Sequence, residues 1–215
     1  MYRPLVGLVE LPSVFGRTDP NGPPGQAPPS TPIALQIFGA AKSELPVLTI
    51  NDPEDVDTEE HGYEESSAKV YAEVDGWYEI GLRGLSRSTG WVSPRDAGAF
   101  RNLETLFSTH TLFVTNAWDR RLLTAPISGS AQLVPGAREL PEWIKQAESA
   151  GFGEGPEPNG VLFVESRREG ESLWLRIELR EANCLDREPR LVAAGWVPAY
   201  SNTGALNVWF HSRGC

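Results

Sequence analysis

Short apolar runs that alternate with polar residues, and that are separated by glycine or proline, make up most of the chain. Residues 32–52 contain two such runs around a turn-like stretch, which predicts a β-hairpin. Residues 68–82 predict a second hairpin, because the dipeptide Asp75-Gly76 favours a two-residue turn. Residues 161–184 predict a third hairpin, which turns near residue 168. The pattern as a whole indicates an all-β fold.

Four segments deviate from the hairpin pattern. Residues 5–15 predict a leading strand, whereas residues 16–31 are so rich in proline and glycine that neither a helix nor a ladder strand is expected. Residues 52–65 carry many carboxylates but lack the ligand spacing of a calcium loop, so a solvated acidic loop is expected. Residues 137–150 place apolar side chains on one face and predict a short helix.

An ordered pattern occurs twice in the chain. Residues 77–82 read WYEIGL and are followed by GWV at residues 90–92. Residues 174–179 read WLRIEL and are followed by GWV at residues 195–197. Both copies place Trp-x-x-Ile-x-Leu on a predicted strand, and they differ mainly in the length of the following loop, which surface loops tolerate. The recurrence therefore indicates an internal duplication.

The repeated residues resemble the bacterial SH3-like domain, in which Gly-Trp begins one barrel strand and Gly-Trp-Val begins the next. DGWYEIGL at residues 75–82 with TGWV, and LWLRIEL at residues 173–179 with AGWVPAY, carry this resemblance. PIALQIFGAAKSELPVLTI at residues 32–50 is similar to the opening strand and loop of that family. The resemblance implies two small SH3-like β-barrels in tandem, with one short α-helix inserted in the C-terminal half.

The resemblance also implies a domain organisation. Residues 1–31 are expected to form an N-terminal strand and a Pro/Gly-rich segment, and residues 32–108 the first SH3-like barrel. Residues 109–215 are expected to form the second barrel, with the helical insertion near residues 137–150. In such a barrel a glycine lets a strand bend, and the large ring beside it fills one end of a small core.

Composition and charge narrow the possible partners. The chain has 215 residues, of which 40% are apolar and seven are tryptophan, so it can bury two small cores. A formal net charge of −10 repels a phosphate backbone, which disfavours nucleic acid. No segment reaches the ~18 apolar residues of a membrane span. The N-terminal residues do not read as a signal peptide; the compartment stays open, with a periplasmic or extracellular one favoured.

The two cysteines leave two alternatives. Cys184 and Cys215 can form one disulfide, which implies an oxidising compartment, or they can be two free thiols. A hydrolase that uses Cys184 as nucleophile and His211 as base is a further hypothesis. It is the least favoured one, because the repeat pattern already occupies the second half of the chain. The sequence therefore predicts no enzyme, and it shows no cofactor or metal motif.

Aromatic residues are the main candidates for a functional site. The candidate ligand-binding residues are Tyr63, Trp77, Tyr78, Trp91, Trp174, Trp196 and Tyr200. SH3 folds bind peptides in aromatic-lined grooves, so the resemblance implies a non-catalytic module that recognises a peptide, a peptidoglycan fragment or a protein partner. The alternative is a structural or scaffolding protein in which these rings are purely core residues. If the proline-rich residues 20–32 occupied the groove, autoinhibition or that alternative would be favoured.

Overall fold

The computed structural model describes residues 3–15, 34–62, 65–119, 121–127, 161–180 and 191–211. The chain forms two compact units. The N-terminal unit is Leu5–Leu103, and the C-terminal unit is Glu104–Cys215 together with Met1–Pro4. An antiparallel sheet forms the framework of each unit. The described residues therefore confirm the predicted all-β fold class.

The N-terminal unit contains an eight-stranded sheet. Its elements are β1 (Gly7–Val9), α1 (Pro12–Phe15), β2 (Leu35–Phe38), β3 (Pro46–Ile50), a 3-10 turn (Pro53–Asp55), β4 (Thr58–Gly62), β5 (Glu65–Val74), β6 (Trp77–Gly81), β7 (Thr89–Val92) and β8 (Phe100–Asn102). The strand order is β3-β2-β7-β6-β5-β1-β8, and β4 pairs with β5 beside this path. The strands β5, β6 and β7 form a meander, and the last strand, β8, returns to the first.

The core of the N-terminal unit follows the period of two that a half-buried strand requires. Leu35 and Ile37 on β2 are fully buried, while Gln36 between them is exposed. Val70, Ile80 and Val92 bring the meander into the same buried cluster. The hairpin predicted over residues 32–52 is thus confirmed as β2 and β3.

The turn between β5 and β6 has the expected geometry. Asp75 and Gly76 adopt φ values of 51° and 77°, so both central residues are left-handed. This conformation matches the twist of a two-residue hairpin, and glycine adopts it without steric cost. The prediction of a tight turn at this dipeptide is confirmed.

The C-terminal unit contains a five-stranded sheet. After α2 (Leu103–Thr109), which begins at the unit boundary, its strands are β9 (Leu112–Val114), β10 (Val161–Glu169), β11 (Ser172–Arg180), β12 (Leu191–Pro198) and β13 (Val208–Phe210). The strand order is β12-β11-β10-β9-β13. The predicted hairpin near residue 168 is confirmed as β10 and β11.

The two copies of the sequence repeat pair in the same register. In the N-terminal unit the pairs between β6 and β7 are Tyr78–Val92, Glu79–Trp91 and Ile80–Gly90. In the C-terminal unit the pairs between β11 and β12 are Leu175–Val197, Arg176–Trp196 and Ile177–Gly195. Each residue of the first set corresponds to the residue of the second set at the same repeat position. The duplication inferred from the sequence therefore extends to the hydrogen-bonded ladder.

The correspondence continues on both sides of the meander. Trp91 pairs with Phe38 on one flank, and Trp196 pairs with Leu123 through an isolated bridge. On the other flank of the N-terminal meander, β1 pairs with β8, and Val9 lies opposite Phe100. On the same flank of the C-terminal meander, β9 pairs with β13. The equivalent units thus begin at β1 and β9, so the leading strand belongs to the N-terminal sheet.

The glycine of the first Gly-Trp-Val is required by a close approach. A Cβ atom placed on Gly90 would lie 2.2 Å from the Cγ2 atom of Ile37. Atoms cannot approach so closely, so any side chain at this position would displace the buried Ile37. The structure gives this steric reason for the glycine, whereas the sequence suggested only strand bending.

Some expectations are corrected or lie outside the described residues. Neither sheet closes into a barrel in the part of the chain that the structure describes. The acidic segment expected as a loop contains a 3-10 turn and β4, which pairs with β5. The predicted helix at residues 137–150 and the Pro/Gly-rich residues 16–31 lie outside the description.

Candidate functional site

Strand register brings three aromatic residues to the face of the N-terminal sheet that lies opposite its core. Trp91 on β7 is directly opposite Phe38 on β2 and Glu79 on β6. Trp77 lies two residues before Glu79 on the same strand, so its side chain shares this face. We call Phe38, Trp77 and Trp91 the outer aromatic face.

Two rings of the outer aromatic face are in direct contact. The centroids of Phe38 and Trp77 lie 5.1 Å apart with an interplanar angle of 83°, which is an edge-to-face arrangement. Such a pair contributes about 1 kcal/mol beyond its buried area. Phe38 is only 7% exposed, whereas Trp77 and Trp91 are half-buried. The two tryptophans therefore keep part of their ring surface accessible, as a ligand-stacking side chain requires.

A buried carboxylate shares this face. Glu79 is 5% exposed, and its Oε1 atom accepts a hydrogen bond of 2.9 Å from the hydroxyl of Thr89. A carboxylate is buried at high cost unless it is hydrogen-bonded or paired. Glu79 also lies directly opposite Trp91. A cationic group stacked on Trp91 would be attracted by the face of the ring.

The hairpin turns beside the outer aromatic face are joined by an ion pair. Lys42 in the β2–β3 turn contacts Asp75 in the β5–β6 turn. The hydrogen bond from Lys42, followed by its charge, lowers the pKa of Asp75. Beyond this pair, Leu45 and Val47 are 78% and 54% exposed at the start of β3. Apolar side chains therefore extend from the outer aromatic face to the edge of the sheet.

Tyr78 does not join the outer aromatic face. It lies between Trp77 and Glu79 on β6, and its side chain packs on the core side. The rings of Tyr78 and Phe100 have a centroid distance of 5.1 Å. Burial, followed by the charge of Glu73, raises the pKa of the Tyr78 hydroxyl. Tyr63 lies outside the described residues.

The equivalent face of the C-terminal unit carries different chemistry. Trp196 is half-buried and lies opposite Arg176, which forms an ion pair of 3.1 Å with Glu165. Trp174 is 4% exposed and lies opposite Pro198, so little of its ring can contact a ligand. Only Trp196 of these two tryptophans has the partial exposure seen in the N-terminal pair.

The remaining candidates of the C-terminal half do not add to that face. Tyr200 is half-buried beyond the end of β12 and forms an isolated bridge with Leu206. Cys184 and Cys215 lie outside the described residues, so both the disulfide and the thiol remain predictions. His211 packs its ring against Phe113 with a centroid distance of 4.6 Å, and burial lowers its pKa.

A histidine–serine pair in the N-terminal unit has the contacts of a nucleophile and its base. The Nε2 atom of His61 lies 2.7 Å from the Oγ atom of Ser67, and its Nδ1 atom lies 3.7 Å from Glu65. Ser67 is however 0% exposed, so no substrate can reach its hydroxyl in this conformation. Burial and then the charge of Arg101 lower the pKa of His61. The pair is a buried polar contact that holds β4 against β5.

Sequence reasoning identified the two tryptophans of the outer aromatic face but missed Phe38 and Glu79. Phe38 is the last residue of a predicted strand, and nothing in the local pattern shows that it pairs with Trp91, which lies 53 positions later. Glu79 follows Trp77 by two residues, and this strand spacing was the available signal that both share a face.

Comparison with known proteins gives no match: no family model, no curated protein and no solved structure is significantly similar to this chain. Within the described ranges, no helix is long and apolar enough to cross a membrane. Those ranges also contain no group of three or more histidine, cysteine, aspartate or glutamate residues that could hold a metal ion. The candidate site is therefore defined by its own geometry.

Proposed function

We propose that this protein is a non-catalytic binding module made of two tandem SH3-like units, and that its N-terminal unit recognises a peptide through the outer aromatic face. The shared register of the two repeats supports the tandem arrangement. In each unit, moreover, the first strand (β1 or β9) lies beside a three-strand meander. The last strand of the unit (β8 or β13) returns to pair with that first strand. This order suits a small SH3-like sheet.

The observation that carries the binding role is the partial exposure of Trp77 and Trp91 on one face. The ring of Trp77 packs edge-to-face against Phe38, and Trp91 lies opposite Phe38 on the neighbouring strand. Rigid aromatic side chains lose little conformational entropy on binding, and they line the grooves in which SH3-type folds hold peptides. The accessible tryptophan surface can also attract a cationic group of a ligand.

The ligand class follows from this chemistry. A free peptide, the peptide stem of a peptidoglycan fragment and an extended segment of a protein partner all present side chains to an aromatic face. The net charge of −10 disfavours an acidic ligand and makes a neutral or basic one the first choice. A scaffolding role without any ligand is the alternative.

A comparison of equivalent tryptophans tests this proposal. The full chain is screened against a displayed library of random peptides, and selected peptides are titrated against the Trp91→Ala and Trp196→Ala variants. We expect Trp91→Ala to weaken binding by about tenfold or more, and Trp196→Ala to change it by less than about twofold. Far-UV circular dichroism and urea unfolding show whether each variant retains its fold, and Trp91→Phe is the conservative control.

Two outcomes contradict the proposal. If the library yields no peptide that binds the full chain, the scaffolding alternative is favoured. If peptides bind but tolerate Trp91→Ala in a folded protein, the outer aromatic face is not the binding site.

A further inference from the structure

The strand β3 is an open edge of the N-terminal sheet. It stands at one end of the strand order and pairs only with β2 among the described elements. In the part of the chain that the structure describes, no backbone hydrogen bond reaches the other side of Pro46–Ile50. Unpaired N–H and C=O groups of an edge strand are a template for another extended chain.

The strand β3 lacks charged side chains, although it is short, begins with a proline and has an irregular register with β2 near Val47. Native edges are often blocked by charged side chains, by inward-pointing charges or by a covering segment. Here Val47 and Thr49 are exposed, and no residue of β3 carries a charge. Pro46 lacks an N–H group, but it is the first residue of the strand and leaves the following backbone free to pair.

The corresponding edge of the C-terminal sheet, at β12, is covered at one position. There, the N–H group of Leu123 donates to the carbonyl of Trp196 at 2.9 Å, and the N–H group of Trp196 donates back at 2.8 Å. The residue equivalent to Trp196 is Trp91, whose partner Phe38 belongs to β2. The N-terminal sheet extends one strand further, to β3, and that additional strand presents the open edge.

Charge indicates which kind of chain fits this edge. Directly after β3, the exposed residues Asp52 and Glu54 form the acidic start of the 3-10 turn. At its other end, Leu45 and Val47 present apolar side chains. An extended segment beside β3 would therefore meet apolar side chains along the strand and the carboxylates of Asp52 and Glu54 at one end, while Glu44 precedes Leu45 at the other. A second copy of this chain fits poorly, because each copy carries a net charge of −10.

We propose that β3 binds an extended peptide by strand addition, and that this peptide is apolar in its middle and carries arginine or lysine at the end beside Asp52. The inference rests on the proposed peptide-binding function and adds the binding mode and ligand chemistry. Because Pro46 on β3 is directly opposite Phe38, alternate side chains of the added strand continue the outer aromatic face. Main-chain hydrogen bonds then supply affinity, and the face supplies selectivity.

The test uses a capped nine-residue peptide of alternating threonine and valine with an arginine at each end. Binding to the full chain is measured by calorimetry, and the exchange of the β3 amide hydrogens by NMR. With the peptide at about ten times its Kd, we expect the outer amides of Val47–Ile50 to exchange about tenfold more slowly. A peptide methylated on its two central backbone nitrogens, which blocks pairing through either edge, should lose this protection.

Two variants test the edge and its charge separately. Thr49→Lys places a cation on the exposed side of β3 and should weaken binding about tenfold, whereas Thr49→Val should not weaken it. Asp52→Asn removes the charge but keeps the side-chain cap on Glu54, so we expect about threefold weaker binding of the arginine peptide. A glutamate-ended peptide should bind more weakly than the arginine-ended one.

Several results would overturn strand addition. If the peptide binds and is sensitive to Trp91→Ala but leaves the β3 amides unprotected, the inference fails while the proposed function stands. If the peptide does not bind at millimolar concentration, the inference fails and the library screen alone decides the proposed function. If the outer amides of β3 are already protected in the free protein, another occupant holds the edge. Protection that depends on protein concentration identifies a second copy as the occupant. Protection that is independent of protein concentration identifies the chain's own residues, such as 16–33.

Discussion

The N-terminal and C-terminal units have the same ladder but different outer faces. On the core side, Ile80 opposite Gly90 in the first unit corresponds to Ile177 opposite Gly195 in the second. On the outer side, the residue opposite the repeat tryptophan is an acid in one unit and a base in the other: Glu79 and Arg176, respectively. The two units are thus alike where they pack and different where they face outward.

This difference shows which positions the fold requires and which are free to take on a function. The inner residues are constrained by shape, because two buried strands must approach closely at the glycine. On the outer side, the half-buried Trp77 of the first unit is replaced by the buried Trp174 of the second. The N-terminal unit therefore keeps the more accessible aromatic surface, and the proposed binding role belongs to it.

The largest expected effect tests the likeness of the two cores. Ile80→Ala and Ile177→Ala each remove a side chain that is 0% exposed. We expect each change to lower the free energy of unfolding of its own unit by about 3 kcal/mol. Urea unfolding measures the cost, and amide exchange followed by mass spectrometry assigns it to one sheet. Arg176→Ala, an exposed change on the same strand as Ile177, is the control and should cost no more than about 0.5 kcal/mol.

Unequal losses would break the comparison at this position. If one of the two isoleucine variants costs less than about 1 kcal/mol, the ladder positions are equivalent in register but not in packing.

A smaller effect is expected at the glycine of the repeat. Gly90→Ala brings a methyl group into the space of Ile37 and should cost about 2 kcal/mol. Ile37→Ala removes the clashing Cγ2 atom, so the double variant should be more stable than the sum of the single losses by about 1 kcal/mol. Thermal and urea unfolding of all four proteins complete this cycle. Additive losses would show that strand bending, rather than the contact with Ile37, requires the glycine.

Local patterns predicted the hairpins and the repeat, because both depend on residues that are close in sequence. Alternation located β2 and β3, and the Asp75-Gly76 dipeptide located the turn between β5 and β6. The place of β1 was harder to predict, since its paired residues on β5 and β8 lie 59 or more positions away. The strand β4 was missed because its residues, TEEHG, show no apolar alternation.

The candidate site was predictable only in part for a similar reason. Trp77 and Trp91 belong to the repeat, so the sequence marked them as special residues. Their common face depends on the register between β6 and β7, which a local pattern does not determine. Tyr78 was proposed as a site residue beside Trp77, but its side chain packs toward the core, on the opposite side of the sheet.

The smallest expected effect concerns pH and a contact that distinguishes the two units. Among the described residues, β4 has no counterpart in the C-terminal unit, and it carries His61. His61 faces Ser67 and Glu65 on β5, Arg101 on β8 and, through Arg101, Glu10 after β1. Burial and then Arg101 hold the pKa of His61 below its ordinary value of 6.5, although the two glutamates oppose this shift.

The sign of the pH dependence follows from proton binding. Below pH 6.5 the unfolded chain protonates this histidine while the folded chain keeps it neutral, so the unfolded state binds more protons. The contribution of His61 to the stability of the N-terminal unit should therefore be fully present above pH 6.5 and be lost as the pH falls toward the folded pKa. We expect His61→Gln to flatten the dependence of the urea midpoint of this unit between pH 7.5 and pH 5.5. His211→Gln, whose parent histidine lies in the other unit, is the matched control and should leave that dependence in place. An equally steep loss of stability in His61→Gln would assign the acid sensitivity to other groups and would remove this difference between the units.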